Sequence, residues 1–350
     1  MAERERERER ERDHRIIRTC QKCGFILGTR PGLKEENGIC LACLNQERKK
    51  TIDWTQRQTW LTEYLAKKRS GGAHDCAVAV SGGKDSHTIV KRLMEEHGAR
   101  NPLLICMADE FTSTQAGLHN RKNIAAHFDL DMITIRPRPK EVLKQIREEF
   151  CTKLNPLATV EKNLYQLPIQ LAQSMGISTI FFGENAAFEY GSSQECAIFS
   201  PLSNDKIDVL YFGAIWPYST EDSLREATSC GFKSLDAYGE WFRQGNIENF
   251  TQIDSLGYLV HIWCKFPKFG FQRVSDIACR FVREGKLTRD QAMQYIRDRD
   301  YQLDPAAKDD FCRTVGLTEK EFDKTVAVHA NHEIVVCDVN NIWRRRDLVD

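Results

Sequence analysis

Six consecutive residues limit what this chain can become: Ser81-Gly82-Gly83-Lys84-Asp85-Ser86. A short apolar run, Ala77-Val78-Ala79-Val80, precedes them, and Ile89, Val90, Leu93 and Met94 follow at helical spacing. Strand, glycine turn and helix leave backbone N–H groups facing an anion at the helix N-terminus. Paired glycines let phosphate oxygens approach the main chain where a Cβ would collide. Ser81 and Ser86 add hydroxyl donors, Lys84 a positive charge, and Asp85 a ligand for phosphate-bound magnesium. The spacing is not the Walker form, which places Ser or Thr directly after the Lys. A turn that merely joins strand to helix is the plain alternative, and six matching residues in the right context weigh against it.

The surrounding pattern implies an α/β fold. Apolar runs at 76–80, 103–108, 131–136 and 178–182 lack strict alternation, as expected of strands buried on both faces. Helical spacing fills 86–97, 113–128 and 140–150, and returns with Leu164, Leu167, Leu171 and Met175, where Pro168 should kink the helix. Upstream, Trp60, Leu61, Tyr64 and Leu65 lie in a helical stretch over 52–69 that ends at Ser70-Gly71-Gly72. Such alternation predicts a parallel sheet with helices on both sides. Ligands of these sheets lie at the carboxyl ends of strands, which puts Asp109, Glu110 and Gly183-Glu184-Asn185 beside the phosphate loop. After residue 200 the rhythm weakens, leaving two marked helix starts, Thr288 with Gln291 and Thr318 with Glu321.

Ahead of the sheet, Cys20-Gln21-Lys22-Cys23 and Cys40-Leu41-Ala42-Cys43 are separated by sixteen residues. Two such hooks have the spacing of a four-thiolate zinc site, with rubredoxin-like iron and free thiols as the other readings. Four cysteines close the metal shell, so the zinc is structural, replacing a core that so short a ribbon cannot build. Thirteen cysteines in all, an odd number with metal-type spacing, argue for reduced thiols and a cytoplasmic protein. No apolar run approaches the roughly 20 residues that span a bilayer, and the charged N-terminus resembles no secretory signal. Residues 3–12 alternate Glu and Arg, a self-cancelling tail with no chemistry assigned. The formal net charge of zero lacks the basic field of a dedicated nucleic-acid binder, which argues against nucleic acid as partner. The stretch Lys265-Phe266-Pro267-Lys268-Phe269-Gly270-Phe271-Gln272-Arg273, with Arg280 and Arg283, could hold a stacked anionic ligand, or be aromatics in a core with charges in water. The expected divisions are a disordered charged tail (1–18), a zinc ribbon (19–50), a phosphate-loop domain (51–200) and a mainly helical substrate or partner region (201–350).

The six-residue loop resembles the SGGxDS pyrophosphate loop (PP-loop) of ATP pyrophosphatases, which split ATP into AMP and pyrophosphate. Nearly everything after residue 18 resembles the N-acetyl sugar amidotransferase family, which makes acetamidino sugars for surface glycans such as lipopolysaccharide or glycosylated flagellin. The resemblance rests on Glu36-Asn37-Gly38-Ile39-Cys40, Asn101-Pro102-Leu103-Leu104, Phe111-Thr112-Ser113, Gly183-Glu184-Asn185 and Glu189-Tyr190-Gly191. Its most discriminating block is Lys268-Phe269-Gly270-Phe271 with Arg273, Asp276, Arg280, Arg283, Gly285 and Arg289. It implies an adenine nucleotide alpha hydrolase-like sheet that adenylates the acetamido oxygen of an N-acetylated sugar and replaces it with ammonia. Lys84, Asp85 and Glu184 would be catalytic, with Asp85 and Glu184 holding Mg2+. Ser81, Gly82, Gly83, Lys84, Asp85, Ser86, Asp109 and Gly183 would bind ATP. Asn185, Glu189, Tyr190, Lys268, Arg273 and Arg280 would meet the sugar. The chain shows no recognisable glutaminase: position 2 is Ala, and no cysteine sits in a Gly-x-Cys-x-Gly turn. Ammonia should therefore come from a separate glutaminase subunit, with a cyclase-like channel subunit as an optional companion. The main rival is a tRNA thiolation enzyme, but Cys151, Cys196 and Cys230 stand alone in sequence. A non-enzymatic docking module is disfavoured by the intact Asp85 and loop serines.

Overall fold

A computed structural model describes residues 17–68, 72–241 and 243–349. The Glu-Arg tail and the expected helix end at Ser70-Gly71 lie outside the described residues. Five short strands, β3 (Ala77–Val80), β4 (Leu103–Met107), β5 (Met132–Ile135), β6 (Thr179–Phe182) and β7 (Asp208–Tyr211), form one parallel sheet in the order β5-β4-β3-β6-β7. Residue parity decides which layer each strand residue joins. Val78, Val80, Leu104, Cys106, Phe181 and Leu210 face α2 (Trp54–Lys68), α3 (Lys84–Glu95) and α4 (Gln115–Phe128). Ala77, Leu103, Ile105, Ile180, Phe182 and Val209 face α6 (Ala158–Ser174), which carries Pro168 inside it. The helices therefore cover both faces.

Two strands depart from the sequence reading. No residue of β5 is buried, because it is an edge strand paired with β4 alone. β7 lies beyond residue 200, and the sequence reading missed it although Val209-Leu210-Tyr211-Phe212 is an unbroken apolar run behind Asp208. Tyr64 Oη donates to that carboxylate over 2.6 Å and Lys68 Nζ lies 2.8 Å away, so strand and charge coexist.

The second core belongs to the C-terminal region. Phe150 and Ile146 of α5 (Pro139–Lys153) meet residues of α9 (Tyr258–Trp263), α13 (Pro305–Val315) and α14 (Glu319–His329) around Phe311 and Phe322. Both expected capping boxes are formed, Thr288 with Gln291 starting α12 (Arg289–Arg299) and Thr318 with Glu321 starting α14. A hairpin, β8 (Val335–Cys337) with β9 (Trp343–Arg345), closes the region. The aromatics of the basic stretch are core: Phe266 and Phe271 are buried in this cluster, on and beside α10 (Lys265–Phe269). A third, smaller core joins the ribbon, β1 (Glu35–Glu36), β2 (Ile39–Cys40) and α1 (Leu41–Lys49), to α11 (Arg273–Arg283) and α12.

Candidate functional site

The loop after β3 is held in shape by its own atoms. Gly82 has φ +91, and a Cβ there would come within 2.9 Å of the Arg121 backbone nitrogen, so only glycine fits. Ser81 N–H donates to Ser86 Oγ (3.1 Å), and Gly83 N–H donates to Ser81 Oγ (3.2 Å). Gly83 is the N-cap of α3, so the first-turn N–H groups face the loop mouth. Behind it, His87 is fully buried, and that burial pushes its imidazole down to about 4. The neutral ring places Nδ1 3.1 Å from the Gly83 carbonyl, while Nε2 accepts from Asn123 Nδ2 at 3.1 Å.

Lys84 is 1% exposed, and its Nζ donates to Asp85 Oδ1 (2.6 Å) and Tyr218 Oη (2.7 Å). Burial alone would pull this ammonium down, but Asp85 and Tyr218 hold it above its ordinary value. Because β6 lies beside β3, the residues after its end reach the same cleft, among them Gly183 and Glu184. Arg280 enters from α11. Its guanidinium lies 3.6 Å from Glu184, within 3.2 Å of the hydroxyls of Tyr190 and Tyr218, and over both rings. The Glu184 side chain keeps 38% of its surface accessible, yet surrounding protein raises its carboxyl, Arg280 opposing and Glu189 and Asp85 adding to the rise. Phosphate loop and C-terminal region thus meet in one charge network: Asp85, Lys84, Tyr218, Arg280 and Glu184.

Two cavities adjoin here, sharing Ser81, Met107 and Leu164 in their walls. The first, about 320 Å3, is lined by Asp85, Ser86, Glu184, Trp216 and Tyr218. The second, about 220 Å3, has an apolar side with Phe111, Val142, Ile146 and Leu157, and a polar end with Asp109, Arg121, Asp254 and Ser255. Asp109 accepts from Phe111 N–H (2.9 Å), and burial raises its carboxyl. Burial pushes Asp254 up to about 6, and its Oδ1 is buried without a protein partner. Carboxylates and an unsatisfied oxygen beside an apolar shelf suit a nucleoside, with its phosphates next door at the loop. A further cavity between ribbon and α11, about 30 Å3, has room for little more than a water.

Other residues expected here make contacts outside the two cavities. Asn185 caps a short turn, accepting from Phe188 N–H (3.3 Å) and donating to the Ala197 carbonyl (3.2 Å), so its side chain is already engaged. Glu189 pairs with Lys49 of the ribbon at 2.6 Å, both nearly buried. Lys268 lines neither cavity; it sits over the Phe269 ring, and burial lowers its ammonium. Arg273, two turns before Arg280, is buried against Thr251 and Glu248 and braces the helix instead of lining the cleft. Sequence reasoning missed Tyr218, Trp216 and His87, none of which belongs to a motif. The one signal for the first two was a pair of aromatics around Pro217, where an apolar run gives way to a polar stretch.

The four ribbon cysteines are buried, with all their sulfurs within 4.8 Å of one another. Hydrogen bonds from Cys23, Cys40 and Cys43 hold the Cys20 thiol far below its usual range. This donor set is compatible with structural zinc. The ribbon touches both the segment after β6 and the C-terminal helices. On one side Asn45 Nδ2 donates to the carbonyls of Phe188 (2.7 Å) and Ser193 (2.8 Å), and a Cβ on Gly191 would strike Ala42 N at 2.6 Å. On the other, Cys279 Sγ donates to the Cys23 carbonyl (3.3 Å), and Arg289 reaches the Cys20 carbonyl (3.3 Å).

Residues 244–344, which include Arg273 and Arg280, match the family described as "LPS biosynthesis protein WbpG-like, C-terminal domain". That match agrees with the family the motifs resemble. An uncharacterized protein of Methanocaldococcus jannaschii is 21% identical over 280 residues, 79% of this chain and 92% of that protein. Among solved structures, an NH3-dependent NAD synthetase from Campylobacter jejuni, in complex with the nitrate ion, aligns with a TM-score of 0.34 and 14% identity. The alignment covers 52% of this chain and 75% of that one.

Proposed function

We propose that this chain, with a WbpG-like C-terminal domain seated on a phosphate-loop sheet, is an ATP-using amidotransferase of surface-glycan biosynthesis. The observation that carries the reading is Arg280. It belongs to the lipopolysaccharide-biosynthesis domain, yet it closes the charge network of the phosphate loop through Tyr218 and Lys84.

The acetamido oxygen of an N-acetylated sugar attacks the α-phosphorus of ATP, and the bond to pyrophosphate breaks. The O-adenylyl imidate then adds ammonia at carbon. The carbon–oxygen bond breaks, AMP leaves with that oxygen, and one proton is lost to give the acetamidino sugar. The loop N–H groups face charge that grows on the departing groups, and Lys84 and Arg280 add positive charge from behind the cavity wall. Asp85 and Glu184 are hard oxygen donors on one cleft and would hold Mg2+, which when bound neutralises phosphate charge. Adenine fits the apolar second cavity, with Asp109, Asp254 and Ser255 near its polar end. The ribbon binds structural zinc. Ammonia comes from a separate glutaminase subunit. Neither cavity is lined by a cysteine, so sulfur transfer to tRNA has no sulfur carrier in place there.

The deciding experiment labels the acetamido oxygen with 18O. The label should leave in AMP, and the sugar should become about three mass units lighter than the labelled substrate (about one lighter than the unlabelled sugar) and strongly basic, as an amidine is. Label retained in the sugar product would refute adenylation of the amide.

A further inference from the structure

The larger cleft has a wall that phosphate chemistry does not use. Trp216 lines it, two residues before Tyr218 in the segment that follows β7. The indole is fixed from several directions. Its Nε1–H donates to His97 Nε2 at 2.8 Å, and His97 Nδ1 lies 2.9 Å from Thr62 Oγ1. Burial, helped by Arg92, pushes His97 down to about 4, so the neutral ring has a lone pair for the indole N–H. The Arg92 guanidinium stands 4.3 Å from the indole centroid. It is itself clamped by two bonds to Glu226, at 2.9 and 2.6 Å, and only 8% exposed.

An indole whose N–H is already engaged has no donor left for a ligand. Arg92 covers one face of the ring, which leaves at most the opposite face as a flat apolar surface, and the rest of the cleft rim offers Asp85, Ser86, Glu184 and Tyr218. One apolar face among polar groups matches a pyranose ring, which has C–H faces and hydroxyl edges. A purine is the other flat candidate, but the adjoining cavity of Phe111, Val142 and Ile146 already gives adenine an apolar berth.

We propose that Trp216 is the stacking platform for the sugar ring of the acceptor, held rigid by Thr62, His97, Arg92 and Glu226. This rests on the amidotransferase reading and adds the residue that receives the sugar. A pre-oriented platform spares the cost of ordering a side chain on binding.

The test uses the full chain with UDP-N-acetylglucosamine as probe and UDP as control. Tryptophan emission of the wild type should change saturably with the sugar nucleotide and much less with UDP. In Trp216→Phe, which keeps an aromatic ring and gives up only the bond to His97, that change should vanish while the protein stays folded. With Mg-ATP, ammonium and a panel of N-acetylated hexoses, free and UDP-linked, Trp216→Leu should raise the sugar KM about tenfold, the scale of one lost stacking contact. Its KM for ATP should stay within about twofold, and Trp216→Phe should recover most of the loss, which a volume-filling role would not require. If sugars are converted and Trp216→Leu leaves the sugar KM alone, or moves the ATP KM instead, the platform is wrong and the reaction stands. If no N-acetylated sugar is bound or converted by the wild type, the reading of function falls and the platform with it.

Discussion

Asp85 has two attachments, and they make different substitutions informative. Its carboxylate is half exposed to the cleft and is also the closest partner of the buried Lys84 ammonium. Asp85→Ala would leave that cation with Tyr218 alone and cost about 1–3 kcal/mol as well as activity. Asp85→Asn keeps an oxygen for Lys84 and removes only the charge. It should melt within a few degrees of wild type and form AMP at least about a thousandfold more slowly, the scale of one lost electrostatic stabiliser. Near-normal AMP release by Asp85→Asn with Mg-ATP would remove this residue from the mechanism. A second residue-scale effect comes from His97. Its folded value of about 4 lies below the ordinary 6.5, so its contribution is complete above pH 6.5 and fades as pH falls toward 4. Asp254 and Asp300, raised from 3.8 to about 6, act in the opposite sense: each regains stability as pH falls from 6 toward 3.8. Wild-type stability therefore balances opposed terms between pH 4 and 6. His97→Gln removes one of them, so its deficit against wild type should shrink by roughly 2 kcal/mol between pH 7 and pH 5. Melting curves at the two pH values check this; a constant deficit would mean that His97 does not change protonation preference on folding. The loop and Glu184 were legible because strand ends and glycine turns are local signals. That the side chains of Asn185, Glu189 and Lys268 are already engaged was not legible, because adjacency to a motif says nothing about which atoms a neighbour has taken up.

At the scale of elements, the sheet was read from runs of apolar residues, and that signal holds where a strand is covered on both faces. It also found β5, an edge strand without buried residues, and missed β7, which starts at Asp208, a carboxylate held by two partners from α2 that the sequence places 140 and 144 residues away. Capping boxes are local in sequence, which is why both helix starts were found. The ribbon was recognised from cysteine spacing, but its attachment to α11 and to the segment after β6 left no trace in that spacing. That attachment gives a prediction. Cys40→Ser should lose about one zinc per chain, and with it the bracing of Arg280 and Tyr190. Activity should then fall even where the sheet stays folded, as judged by far-UV circular dichroism. A milder variant, Lys49→Met, keeps the metal but breaks the ion pair to Glu189, and should lower activity with zinc content unchanged. Full activity in a zinc-free Cys40→Ser protein would show that the ribbon and cleft are mechanically independent.

For the whole molecule, the sequence showed three kinds of segment but not how they close on one another. Strand order, the seat of the C-terminal helices on α5, and the convergence of Lys84, Glu184 and Arg280 all depend on contacts between residues far apart in the chain. The nitrogen source is a question at this scale. Alone, the chain should use ammonium salts and not glutamine. Its rate with ammonium should climb from pH 7 toward the ammonium pKa of roughly 9, near amine values, because free NH3 is the nucleophile. Adding a glutaminase partner should make glutamine effective near neutrality. Turnover of glutamine by the purified chain, with ammonia formed at the same rate, would place a glutaminase within it.

The ribbon's position between the segment after β6 and α11 also sets a dimension. Side-chain packing yields by tenths of an ångström at small cost, whereas four zinc–sulfur bonds of about 2.3 Å form a stiff tetrahedron. With zinc bound, the separation of the Tyr190 segment from the Arg280 helix is fixed by coordination chemistry, in the way a spacer fixes the gap of a vice. A metal with a different bond length or preferred geometry would reset that gap. Cadmium, larger and equally at home among four thiolates, should leave the fold standing and the gap slightly too wide. Turnover would then report the size of an ion that touches neither ATP nor sugar.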